Sequence, residues 1–284
     1  MKKIGFLVPS LIFLVSTLLQ ADAKIPDIVT VGWLKKHYND KDLVIIDVRK
    51  EEAFKKLHLK RAVNLPTFKY LFDIKNNYKL PSLNVLKKVF SHAGIHDNSK
   101  VVVYGNNELI WAARFYWISK VLGHKDVGLL AVGFGNWKKN ELPVTTKIYH
   151  PKRSDFIPKV DNSILETKLS TFVAIGRDII IDGRPPEYYK GLKSLAKRKG
   201  HIPTALNYPG SRNYDINGSG MKNMKELAKM YKNLPKNRKI ILYCQDGADA
   251  ALNFLVLRKL GYDASVYDGS WLEWGNDFNL PVER

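Results

Sequence analysis

The sequence predicts an α/β protein of two like domains, each a parallel sheet flanked by helices. Two observations carry that reading: short apolar landmarks recur in the same order in both halves of the chain, and β-branched runs alternate with longer helical patterns.

The landmarks run as follows. Leu43-Val44-Ile45-Ile46-Asp47-Val48-Arg49 and Ile179-Ile180-Ile181-Asp182-Gly183-Arg184 are each a buried-strand run that leaves the sheet through Asp and Arg. A His follows in each half, His58 and His201, and after it the strings Ala62-Val63-Asn64-Leu65-Pro66 and Ala205-Leu206-Asn207-Tyr208-Pro209. Val101–Tyr104 and Ile240–Tyr243 read as further strands, each leading through a short polar loop into a helix. Those helices are expected to stop at Leu122-Gly123-His124 and Leu260-Gly261-Tyr262, where Gly relieves the terminal turn. Trp137 in one half, Trp271 and Trp274 in the other, and two copies of Leu-Pro-Val at 142–144 and 280–282 close the repeat. The domains are therefore set at 24–145 and 161–284. Residues 146–160, with Lys147, His150, Pro151, Lys152, Arg153 and Pro158, form a linker.

Residues 1–23 stand outside the repeat. Two lysines, an apolar run from Ile4 to Leu19 and Ala21-Asp22-Ala23 follow the order of a secretory signal peptide cleaved after Ala23, which predicts export, most simply to a bacterial periplasm. The apolar run is short for a membrane span, and no cysteine follows it to take a lipid. The formal charge is +19, or +18 once Lys2, Lys3 and Asp22 leave with the leader. That balance attracts anions. The basic residues are spread along the chain instead of gathered on one block, which argues against nucleic acid as a partner.

The 284 residues contain one cysteine, Cys244, so no internal disulfide can form. It stands where a strand ends and a helix, expected from about Asp249 to Leu260, is about to begin. Tight-loop N–H groups at a helix start can stabilise a thiolate, a persulfide or an oxyanion. The matching loop of the first half, Gly105-Asn106-Asn107-Glu108, has no nucleophile. His92 and His96 have helical metal spacing, but Gly94 lies between them and no further ligand is near, so no metal site is expected.

The second half resembles the C-terminal domain of tandem-domain rhodaneses and mercaptopyruvate sulfurtransferases. The residues that carry the likeness are Asp182-Gly183-Arg184, Gly200-His201-Ile202-Pro203-Thr204-Ala205, Tyr243-Cys244 and Tyr267-Asp268-Gly269-Ser270-Trp271-Leu272-Glu273-Trp274. The first half is similar to that family's inactive N-terminal domain, notably at Ala112-Ala113-Arg114, and the likeness covers residues 27–284. The resemblance implies that Cys244 holds transferred sulfur as a persulfide, that Arg184 binds the substrate anion, and that the backbone of Gln245, Asp246, Gly247, Ala248 and Asp249 cradles the sulfur. It implies no metal or organic cofactor. Its partners would be a small anionic or polysulfide donor and a thiol or cyanide acceptor, with a protein persulfide as a further candidate.

The chain departs from the family where basic, small or hydroxyl residues are usual: Asp246 and Asp249 stand there. Carboxylates beside a thiolate raise its pKa and repel a dianionic donor such as thiosulfate. Asp249 is expected to cap the following helix; Asp246 has no such duty in the sequence. Asp47, Asp182, His58 and His201 read as structural because they recur in the half without a cysteine. Trp271 and Trp274 read as packing, and Glu273 as a surface acid. A cysteine phosphatase would need arginine at position 250, which is Ala. The competing reading is a carrier or binding module that holds a sulfur species without turnover.

Overall fold

A computed structural model of the chain describes residues 24–137, 143–215, 217 and 220–284. Residues 1–23, where a leader is expected, and Leu142 lie outside the described residues. Among those described, no helix is long and apolar enough to cross a membrane.

The first domain is a five-stranded parallel sheet of β1 (Ile28–Val29), β2 (Leu43–Asp47), β3 (Ala62–Asn64), β4 (Lys100–Tyr104) and β5 (Val127–Leu130), in the order β1-β5-β4-β2-β3. The second has β6 (Leu165–Glu166), β7 (Ile179–Asp182), β8 (Leu206–Asn207), β9 (Ile240–Tyr243) and β10 (Ala264–Tyr267), in the order β6-β10-β9-β7-β8. Strand for strand the two orders are the same, so the duplication predicted from the landmarks is a duplication of topology. The central strands β4 and β9 are buried at every residue, which is why they read as continuous apolar runs.

The landmarks recur because each builds the same network. Asp47 accepts from Arg49 N, from Arg49 Nε at 3.0 Å and Nη2 at 2.6 Å, and from Tyr104 Oη. Asp182 accepts from Arg184 N, Nε and Nη2 at 2.9, 3.0 and 2.6 Å and from Tyr243 Oη at 2.7 Å. The Asn of each string, Asn64 and Asn207, donates to the carbonyls on either side of that turn. His58 and His201 each bond a backbone carbonyl through Nδ1, of Phe54 and Tyr189, and stack on that same residue's ring. A carboxylate that receives four donors at a strand end fixes the loop that follows, and its burial is compensated by the arginine.

Four helices matter for the site. α1 (Leu83–His92) and α3 (Met224–Tyr231) are amphipathic, burying Leu86, Val89 and Phe90 in one case and Leu227 and Tyr231 in the other. α2 (Ile110–Val121) and α4 (Ala248–Lys259) are apolar nearly all round. Such helices need cover on every side, and these two obtain it by packing on each other between the sheets, which joins the two domains in one core. Both stop as the sequence predicts, at Gly123 (φ +81°) and Gly261 (φ +82°). At Gly123 a Cβ would also strike the Lys159 carbonyl at 2.3 Å. Residues 146–160 contain no helix or strand but are not loose throughout: Ser154 Oγ donates to Ile95 O, and Phe156 is buried against Phe90.

Candidate active site at the Cys244 loop

Cys244 follows β9 directly and is fully buried. Its backbone is held on both sides: its N–H donates to Ser270 Oγ, while its carbonyl accepts from Trp271 N and the Gln245 carbonyl from Leu272 N. Ser270, which takes a left-handed φ of +48°, is tied in turn to the Tyr267 carbonyl. Beyond the cysteine the chain turns tightly through Gly247 (φ +89°), which stands at the N-cap of α4. The turn aims the Gly247 N–H at Cys244 Sγ, 3.1 Å away, and the N–H groups of Asp246 and Ala250 also favour negative charge on that sulfur. Burial, followed by Asp246 and Asp249, outweighs them and pushes the resting thiol up from its ordinary value.

Neither acid is the N-cap of α4. Asp249 does not cap the helix, because α4 begins at Ala248 and Asp249 lies inside its first turn. Asp246 precedes the N-cap Gly247, and its Oδ1 accepts from Ala248 N at 3.2 Å and lies 3.9 Å from Cys244 Sγ. So Ala248 contributes its N–H to Asp246 and not to the sulfur. Burial raises the pKa of Asp246, against the pull of the Ala248 N–H and Arg114. Asp249 is raised to about 7 by burial and by Asp246, Asp182 and Glu108. Gln245 places both side-chain amide atoms in the interior without a hydrogen-bond partner.

Arg184 lies below the loop, its guanidinium over the Trp271 ring at 4.3 Å. Nε and Nη2 are committed to Asp182, and Nη2 also to the Gly200 carbonyl; Nη1 alone has no partner. Arg49 makes the same clamp in the half without a cysteine, so the first duty of this arginine is to fix a strand end. Glu273 is not a surface acid: it pairs with Lys79 of the first domain at 3.0 Å and accepts from Tyr267 Oη. Trp271 and Trp274 are fully buried, as packing residues should be.

Sequence reasoning missed two contributors. Ser270 supplies the oxygen that holds the cysteine backbone. Arg114, on α2 of the other domain, lies fully buried against Gly247, so that a Cβ on that glycine would sit 2.5 Å from Arg114 Nη1. Only the Ala-Ala-Arg string marked it. A cavity of about 440 Å³ at the edge of the first sheet is lined by Lys50, Phe68, Glu108 and Trp111 among others and by no residue of the Cys244 loop; shape without a nucleophile does not locate the chemistry.

Gly247→Ala is expected to cost about 1–3 kcal/mol, since alanine must adopt φ > 0 and also displace Arg114. Chemical denaturation measures it; wild-type stability would mean that the turn re-forms differently.

A lone thiol with backbone N–H groups directed at it, at the carboxyl edge of a parallel sheet, has the geometry that a cysteine-based group-transfer site requires. The rhodanese-like domain model matches residues 30–140 and 166–277. A protein of Mycolicibacterium smegmatis named as a thiosulfate sulfurtransferase is 31% identical over 273 residues, covering 90% of this chain and 97% of the relative. The sulfur carrier protein TtuD of Thermus thermophilus is 29% identical over 278 residues, covering 90% and 96%. Among solved structures, the 3-mercaptopyruvate sulfurtransferase SseA of Escherichia coli shares the fold with a TM-score of 0.77 at 24% identity, covering 86% of this chain and 98% of that one. The chain belongs to the rhodanese family and is a sulfurtransferase.

Proposed function

We propose that Cys244 takes sulfane sulfur from a donor, holds it as a persulfide, and delivers it to a thiol or cyanide. The observation that carries this is the Gly247 N–H directed at Cys244 Sγ in the one loop that holds the chain's one cysteine. After losing its proton the sulfur attacks the outer sulfur of the donor. The donor bond to that sulfur breaks and its electron pair leaves with the remainder as sulfite, pyruvate enolate or a shorter polysulfide. The acceptor then attacks the outer sulfur, and Cys244 departs with the pair as a thiolate.

Asp246 and Asp249 set the order of donors. Thiosulfate brings two negative charges toward two carboxylates, so a donor of lower charge, such as a protein persulfide or the carboxylate monoanion mercaptopyruvate, is preferred. Any contribution of Arg184 to a donor anion comes through Nη1. Export to the periplasm is part of the same proposal, supported by the leader-like first 23 residues. A carrier reading is favoured by one observation, the complete burial of Cys244, which protects a bound sulfur.

The test is the mass of residues 24–284 after exposure to each donor, and again after cyanide or thiol. Gain of a sulfur atom followed by its loss with product formation supports transfer. A sulfur that is gained and kept supports the carrier, and no gain from any donor removes both.

A further inference from the structure

Among the described residues, Arg114 is the cation that lies against Gly247 in the Cys244 turn, and it comes from the domain that has no cysteine. It projects from α2, is fully buried, and has its guanidinium over Phe72 at 4.6 Å and Trp117 at 4.8 Å. Nη2 lies 2.8 Å from Asp268 Oδ1, yet none of its three nitrogens makes a hydrogen bond of good geometry. A buried guanidinium of that kind costs several kcal/mol unless charge compensates it. Two carboxylates supply the compensation: Asp268 at its side, and Asp246, whose charged form Arg114 favours. Of the other acids, Asp249 bears on the thiol, Asp182 and Glu108 on Asp249, and Asp268 on Asp246. Asp268 is itself pinned by the Leu80 N–H at 2.6 Å, so the segment around Lys79 and Leu80 holds the arrangement from the first domain as well.

We propose that Arg114 is a positioning residue of the sulfur-transfer site: packed on Gly247, it holds the turn that aims the amides at Cys244 and supplies the positive charge that offsets Asp246. The family's loop cations are missing here, and this charge reaches the loop from across the domain interface. The cysteine-free domain thereby becomes part of the active site, which gives the tandem arrangement a chemical as well as a structural reason. Arg114 is fully buried, as Cys244 is, and its part here is to hold the turn and its charge.

The inference rests on Cys244 being the reacting sulfur, and its test reads that thiol without any donor. Cys244 is alkylated with iodoacetamide at a fixed pH of about 8 in the full chain, in Arg114→Gln, in Asp246→Asn and in the double variant. Arg114→Gln is expected to slow alkylation about tenfold, corresponding to one pKa unit, and less than about threefold once Asp246 is Asn. Equal losses in the two backgrounds, or no loss at all, overturn the proposal. Because Arg114→Gln leaves Asp268 without its cation, Tm is recorded for every variant and Arg114→Lys is carried through the same cycle. Lys keeps the charge on a shorter, unforked head, so it should recover most of the rate in the Asp246 background. A wild-type rate with only a lowered Tm would reduce Arg114 to an interface brace and overturn the proposal. A wild-type chain that alkylates as expected but accepts sulfur from no donor would instead defeat the transfer reading and leave this one standing.

Discussion

Cys244→Ser is expected to form no measurable thiocyanate from cyanide with thiosulfate, mercaptopyruvate or polysulfide, a loss of more than about a thousandfold, because the nucleophile itself is removed. The chain holds no second thiol to take its place. The corresponding loop of the first domain presents Gly105, Asn106, Asn107 and Glu108, none of which can form a disulfane bond. Serine fits the space, and its oxygen can accept the Gly247 N–H that now reaches Sγ at 3.1 Å, so the fold should survive with Tm little changed. The variant therefore separates chemistry from architecture. Continuous thiocyanate assay of the two proteins side by side checks it. Residual turnover above about one percent of wild type, far more than deletion of a nucleophile leaves, would place the transferred sulfur on another group.

The parts of this molecule that could be read from the sequence are those in which chemistry repeats locally. Asp47-Val48-Arg49 and Asp182-Gly183-Arg184 announce the same turn because the Asp and Arg that make it are two residues apart, and Asn64 and Asn207 complete it from the next strand. Cys244 was legible because it is alone and sits at a strand end. The roles of Asp246 and Asp249 were not, since which carboxylate meets an N–H of α4's first turn depends on where the helix starts, and Gly247 sets that start by taking the N-cap at φ +89°. Arg114 was hidden for another reason. α2 and α4 are apolar nearly all round, so periodicity says that both are covered but not that they cover each other. A residue that acts across that contact carries no local signal of its target. Arg184, by contrast, had a signal that pointed to more than one duty, and the matching clamp at Arg49 shows the structural one.

Asp249→Asn is expected to make the protein more stable above neutrality and to flatten its stability profile between about pH 4 and 7. The carboxyl is raised to about 7 by burial and by the neighbouring Asp246, Asp182 and Glu108. In the unfolded chain it titrates near the ordinary value of about 4. Between those two values the folded state keeps a proton that the unfolded state has released. Stability conferred by the protonated group is thus complete below about pH 4, falls as pH rises through the folded value, and is gone above it. The pKa difference corresponds to about 4 kcal/mol. Partial exposure of the side chain should reduce the observed change to about half of that. Asparagine keeps the shape against Gly210, where a Cβ would come within 2.7 Å of Asp249 Oδ1, and does not ionise. Thermal melts of both proteins from about pH 4.5 to 8.5 should diverge progressively, with the variant higher at the alkaline end; parallel curves would mean that the Asp249 carboxyl finds solvent or a cation when it ionises. Removal of this carboxylate should also speed alkylation of Cys244, because Asp249 is among the charges that hold the thiol protonated. Where both effects appear together, the acidic loop lowers stability and thiol reactivity at neutral pH at once, as expected of residues retained for the choice of sulfur donor and not for the fold.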